Sequence, residues 1–233
     1  MPGSRPLQAA WESGNAAVSG DMKLLPLDRT EILERVAGWL AQKENYQWLD
    51  LGNGRRIVTP ALLKIMAQRE THFMRAYTSD RDDTPIGIVG LHNVNRAFRT
   101  ATFWGASGEK SFRNRGYSTI ASSKLMTLAF NDLGLHSVNT WAVAHNPSIR
   151  TIERLGFRFV GRQRQCHMID GRLYDRLLFD LLANEHRELE DDRRHRVEDR
   201  RIHREAERSH GQLDPPGESV ARPAPWRAGQ TRR

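Results

Sequence analysis

Cysteine is almost missing from this chain: Cys166 is the only one in 233 residues. That excludes an internal disulfide and any cysteine-based zinc cluster. Long apolar runs are missing as well. None approaches the roughly 18 to 20 residues that a membrane-spanning helix needs, so no membrane association is expected. The first twenty-one residues, "MPGSRPLQAAWESGNAAVSGD", lack a basic region followed by an apolar one, so no secretory signal is expected and the cytoplasm is the expected location. Lysine is scarce, at five of the 36 basic residues. So strong a preference for arginine reads as compositional bias and not as a phosphate-binding surface built for nucleic acid.

The formal net charge of +8 nevertheless raises the nucleic-acid question. From Glu185 onward twelve arginines face eleven acidic residues, so all but one unit of the excess belongs to the first 184 residues, where it is spread out. A nucleic-acid partner is therefore not expected, while a small anionic ligand stays open. At 38% hydrophobic residues the chain can bury one good core.

Three regions are expected: a disordered extension over residues 1–21, a folded domain over 22–184, and a charged tail over 185–233 that is helical first and then disordered. Within the domain, "KLLPLD" after Met22 reads as a short strand. Asp28 or Thr30 then caps a helix through "EILERVAGWLAQ", with Ile32, Val36, Trp39 and Leu40 on one stripe. Thr59 followed by Pro60 starts a second helix, "ALLKIMAQR".

From residue 71 the period changes. "THFMRAYTS", "TPIGIVGLHNVN" and "RTATFWGAS" read as consecutive antiparallel strands. A helix to about Phe130 follows, with Ile120, Leu125, Leu128 and Ala129 inward. "HSVNTWAVA" is a strand, "PSIRTIERLG" a helix ending at Gly156, and the remainder a hairpin turning at Asp170-Gly171. The order β-β-β-α-β-α-β-β implies an α/β domain with a mixed sheet.

Chemistry concentrates in "SFRNRGYSTIASSKLM", Ser111 to Met126. Arg113, Asn114, Arg115, Gly116, Tyr117, Ser118 and Thr119 lie between a strand and a helix. The first-turn amides of a helix lack internal partners and sit at the positive end of its dipole, which suits an anion. Taken alone, the stretch reads either as a phosphate cradle or as an ordinary capped polar turn, with Ser118 or Thr119 as the cap.

Residues 112–182 resemble the GNAT superfamily of acyl-CoA-dependent N-acyltransferases, in its RimJ/RimL-like and spermidine-acetyltransferase-like branch. That family's pyrophosphate loop runs Arg/Gln-x-x-Gly-x-Gly/Ala, and Arg113, Gly116 and Ser118 take those places. "LGLHSVNTWAV", "ERLGF" and "GRQRQ…DGRLYD" continue the match in order, and "PIGIVGLHNVNRAFRTATFW" resembles the preceding strand pair. The resemblance implies a mostly antiparallel central sheet, splayed between "RTATFWGAS" and "HSVNTWAVA", with helices on both faces. It implies acetyl-CoA as acyl donor, held at its pyrophosphate by the backbone from Arg113 to Thr119, and an amine acceptor. No metal is implied, and a homodimer is left open.

Acetyl transfer needs a neutral amine, a polarised thioester carbonyl and a proton for the leaving thiolate. An alkyl ammonium has a pKa of roughly 10, so the site must remove a proton. Many relatives place a tyrosine acid immediately before the glutamate of "ERLGF"; here that position is Ile152. The resemblance therefore shifts attention to Asn146 and Ser148 as catalytic candidates, although Asn146-Pro147-Ser148 is also an ordinary helix start. His92, Asn93 and Trp104 are the expected substrate contacts, and neighbours in a strand such as His92 and Asn93 cannot both face the cleft. A polycationic polyamine fits the basic domain less well than a protein N-terminus or an amino sugar. The competing reading is a non-catalytic acyl-CoA-binding module whose tail recruits a partner.

Overall fold

The computed structural model describes residues 21–51 and 58–191. Seven strands form one sheet in the order β1-β2-β3-β4-β5-β7-β6. They are β1 (Leu24–Pro26), β2 (Phe73–Thr78), β3 (Pro85–Asn95), β4 (Thr100–Ser107), β5 (Ser137–Val143), β6 (Arg158–Ile169) and β7 (Arg172–Leu182). Every neighbouring pair is antiparallel except β4 and β5, which run parallel. The helices are α1 (Thr30–Leu40), α2 (Lys43–Tyr46), α3 (Pro60–Gln68), α4 (Tyr117–Asn131) and α5 (Ile149–Arg154).

Two apolar layers sandwich the sheet. On one face Ile120, Ala121, Leu125 and Ala129 of α4 pack with Phe73, Val89, Leu91 and Phe103. On the other, Ile32, Val36 and Leu40 of α1 and Leu63 of α3 pack with Met74, Ala76, Ile88 and Trp104. Strand β2 is buried throughout because both layers cover it, so its sequence shows no simple alternation.

Local signals in the sequence correspond to real termini in several places. Thr59 caps α3 by accepting a bond from the Leu62 amide at 3.2 Å, with Pro60 next. Gly156 ends α5 with φ 86°, and Asp170 and Gly171 turn the last hairpin with φ 50° and 76°. Other expectations are corrected. The N-cap of α1 is Arg29, without a side-chain bond, and Thr30 is already helical. Helix α4 is capped by Gly116 in the left-handed region, so neither Ser118 nor Thr119 serves as cap. Helix α2 was not expected at all.

The extension over 1–20 and most of the charged tail lie outside the described residues. Residues 186–191 are not helical. They return over α4, where the Leu189 amide donates to Ser123 Oγ at 2.8 Å and His186 packs on Phe130.

Candidate active site

The parallel pair is short. Thr100, Ala101 and Thr102 of β4 pair with Ser137, Val138 and Asn139 of β5, and beyond that point the strands part. Thr140 Oγ1 donates to the Phe103 carbonyl at 3.0 Å just past the split. A side chain there does what the lost ladder would have done for a buried carbonyl.

A cavity of about 740 Å³ opens at the split, within the range of small-molecule sites. Its walls include the upper halves of β4 and β5, the loop from Phe112 to Gly116, the first turn of α4, the start of α5 and the segment after α2.

The loop is built for close approach. Asn114 has φ 60° and Gly116 φ 85°, the second a conformation that favours glycine. The first helical amide bond of α4 runs from Ile120 to the Gly116 carbonyl at 3.1 Å. The amides of Tyr117, Ser118 and Thr119 therefore have no helical acceptor and face an anion-favouring dipole. Ser118, Thr119 and Ser122 line the cavity with small side chains. Arg113 also lines it, and its guanidinium is ion-paired to Glu44 of α2 at 3.2 Å; Lys110 joins the same carboxylate at 3.2 Å. Desolvation is the largest single influence on Glu44 and pushes its pKa up, but the two cations together outweigh it and hold the carboxyl below its usual range. Tyr117 donates its hydroxyl to Asp80 at 2.6 Å, which pins the helix start to the loop after β2.

Of the residues singled out in the sequence, Arg113, Asn114, Gly116, Tyr117, Ser118, Thr119, His92, Trp104, Asn146 and Ser148 all line this cavity. Two do not. The Arg115 guanidinium stands 5.8 Å from the centre of the Phe112 ring, outside the lining. Asn93 sits at a bulge in β3 with φ 51°, exposed. Asn146 Oδ1 accepts from the Ser148 amide at 2.8 Å, so its oxygen already shapes the entry to α5. Trp104 is buried in the α1–α3 layer and also walls the cavity, and its Nε1 has no hydrogen-bond partner. Ile152, at the position where the family resemblance implies a tyrosine, is a core residue at the cavity's edge.

The sequence reading missed the segment that spans the cleft. From α2 onward Lys43 pairs with Asp170 at 2.7 Å, the Gln47 carbonyl accepts from His167 Nε2 at 2.7 Å, and Asp50 pairs with Arg176 at 3.1 Å. Arg176 also stacks on Trp141 at 3.8 Å and donates to His167 Nδ1. With Nε2 donating and Nδ1 accepting, His167 is a neutral ring, held below its ordinary pKa chiefly by burial. Tyr77, also in the wall, has its phenol pushed up to about 12 by burial. Among the described residues no cluster of His, Cys, Asp and Glu could hold a metal ion, and no helix is long and apolar enough to cross a membrane.

Comparison with known proteins agrees with this geometry. Residues 22–158 match the model of a family described as an acetyltransferase (GNAT) domain. YdaF of Bacillus subtilis (strain 168), provisionally named a ribosomal N-acetyltransferase, is 34% identical over 107 residues, covering 45% of this chain and 57% of YdaF. The chain thus spans little more than half the length of that relative. The Vibrio cholerae spermidine N-acetyltransferase in complex with CoA and spermine superposes with a TM-score of 0.62 at 17% identity, over 70% of this chain and 96% of that one. Mycobacterium smegmatis RimJ in complex with CoA-disulfide gives 0.57 at 19%, over 71% and 89%. Likenesses at that identity establish the fold, and the matched family model extends the conclusion: the chain belongs to the GNAT acetyltransferase family.

Proposed function

We propose that this protein is an acetyl-CoA-dependent N-acetyltransferase that moves the acetyl group to a primary amine by direct attack. One observation carries the reading. The strands part at Thr102 and Asn139, and the Arg113–Thr119 loop with the α4 N-terminus opens onto that same gap. A donor with a diphosphate at one end and a thin thioester arm at the other fits both features at once. The loop amides and Arg113 take the pyrophosphate, the gap takes the arm, and a β4 amide past the split polarises the carbonyl. Asn146 and Ser148, on the opposite wall, contact the thioester end.

For the acceptor, a protein N-terminus or an amino sugar is favoured over a polyamine. The carboxylates in the wall, Glu44, Asp50 and Glu109, each already bind an arginine, so little negative charge is left for a polycation. The named relatives point both ways, one to the ribosome and one to spermidine.

Calorimetric titration with acetyl-CoA, desulfo-CoA and adenosine diphosphate tests the donor assignment. All three should bind, with the diphosphate weakest, and Gly116→Val should abolish binding in a folded protein. Absence of saturable acetyl-CoA binding overturns the reading. The burial of Ile152 where the family resemblance implies an acid favours one alternative, a binding module without turnover; it predicts tight acetyl-CoA binding and no thiol release with any amine.

A further inference from the structure

Transfer to an ammonium needs a base, and free lone pairs are rare in this cleft. Glu44 is held by Arg113 and Lys110, and Asp50 by Arg176. Glu109 accepts from Arg35 at 3.3 Å and from Trp39 Nε1 at 3.3 Å. Each of these carboxylates already spends an oxygen on a cation or on another donor. Tyr77 is a buried phenol bonded to Ser107, and the Tyr117 hydroxyl donates to Asp80. His92 differs from all of these: it lines the cavity, and its ring makes no hydrogen bond among the described residues.

Its position is set by the sheet. His92 of β3 pairs with Thr102 of β4, and Thr102 pairs with Asn139 of β5 in the last rung before the split. Paired residues share a face, so His92 lies at the root of the gap on the side that also carries Trp104, two residues further along β4. The Trp104 indole passes over Gly90, two residues before His92, where a Cβ would lie 2.9 Å from Nε1. That buried N–H has no partner among the described residues and adds a donor to the same space. Two groups on packed elements face His92: His72, in the turn between α3 and β2, and Asp50, after α2. His72 in turn lies near Arg69. Burial, then His72, holds the His92 ring below its ordinary pKa, with Asp50 opposing, which favours the neutral ring that a proton acceptor needs.

We infer that His92 is the catalytic base, taking a proton from the acceptor ammonium at the root of the β4–β5 split. The inference rests on the acetyltransferase reading of this cleft. The ammonium gives one proton to the imidazole, and its freed lone pair forms a C–N bond at the thioester carbonyl. The C–S bond breaks with its electron pair going to sulfur. The thiolate then takes a second proton from the same nitrogen, and the imidazolium returns its proton to water. One amide, one thiol and one proton result.

The test uses the full chain and needs no knowledge of the natural acceptor. The probe is CoA alkylated at sulfur with N-methylacetamide, which sets an amide N–H just beyond the thioester position. Nitrogen NMR of the histidine rings, with the His92 signals identified by their loss in His92→Gln, should show those signals shifting when the probe binds. A probe that binds by calorimetry and leaves them unmoved overturns the inference. In turnover of a peptide with a free N-terminal alanine, or of glucosamine, His92→Gln should lower kcat/KM by about 10²-fold and remove the acidic limb of its pH profile. A change within about threefold with the limb intact also overturns it. Acetyl-CoA should bind wild type and variant equally; if neither binds it, the donor reading itself has failed, which is a separate result.

Discussion

Several side chains in this cleft owe their position to a missing Cβ. Tyr77 lies across Gly87 and the Trp39 indole across Gly108, each closer than any real Cβ would allow. Both neighbours are large, buried and central to their layers, so neither can withdraw cheaply. Gly87→Ala should therefore destabilise the fold by about 1–3 kcal/mol through overpacking, read as a lower urea midpoint at unchanged slope. An unchanged midpoint would mean that Tyr77 has room to move. Gly116 is a different case, since its φ of 85° makes even alanine strained there, at a half-buried turn next to the exposed Asn114 and Arg115. Substitution at Gly116 should cost binding more than stability.

At the level of elements, the short α2 segment matters most. It bridges the Arg113–Thr119 loop, through Glu44, to the β6–β7 hairpin, through Lys43, Gln47 and Asp50. Its ion pairs are partly or largely exposed and hold little free energy individually. Their effect is on charge in the cleft: Glu44 neutralises two cations beside the expected pyrophosphate position. Glu44→Gln should tighten acetyl-CoA binding severalfold at low salt and steepen its salt dependence, because Arg113 and Lys110 are released to the phosphates. Weaker binding in calorimetry would show instead that Glu44 holds Arg113 in place for the ligand. The Thr59 cap of α3 is a purely local feature, and Thr59→Ala should cost about 1 kcal/mol in urea denaturation without touching donor binding.

At the scale of the whole molecule, four histidines among the described residues, His72, His92, His167 and His186, are held below their ordinary pKa, each chiefly by burial. A depressed folded-state pKa means that the unfolded chain binds more protons across the interval between the two values. Stability is then complete above the unfolded value near 6.5 and is lost as pH falls through the folded values. Thermal denaturation should show a flat Tm from pH 7 to 8 and a progressive fall below about pH 6.5, before carboxylate titration begins. A Tm that holds level down to pH 5 would mean that these rings charge without cost.

Much of this molecule was legible from neighbouring residues alone. Strand periodicity from residue 71, Thr59-Pro60, Gly116, Gly156 and the Asp170-Gly171 turn are local signals, because turn and cap chemistry acts within a few residues. They were enough to place the loop and the strands around it, while the splayed sheet and the expected donor position came from the resemblance of those residues to the acetyltransferase family. Helix α2, at four residues, is too short to show a period. The contacts that hold the α2 segment in place join residues far apart: Glu44 with Arg113 across 69 positions, Gln47 with His167 across 120 and Asp50 with Arg176 across 126. Charges so separated carry no pairing information in sequence. His92 shows the division most clearly. The sequence alone determined that an imidazole would lie on the strand before β4, close to the gap. That its ring is left unpaired, while every carboxylate lining the cleft is held by an arginine, was decided only when the chain closed on itself, because both protonation and pairing depend on which charges folding brings within reach.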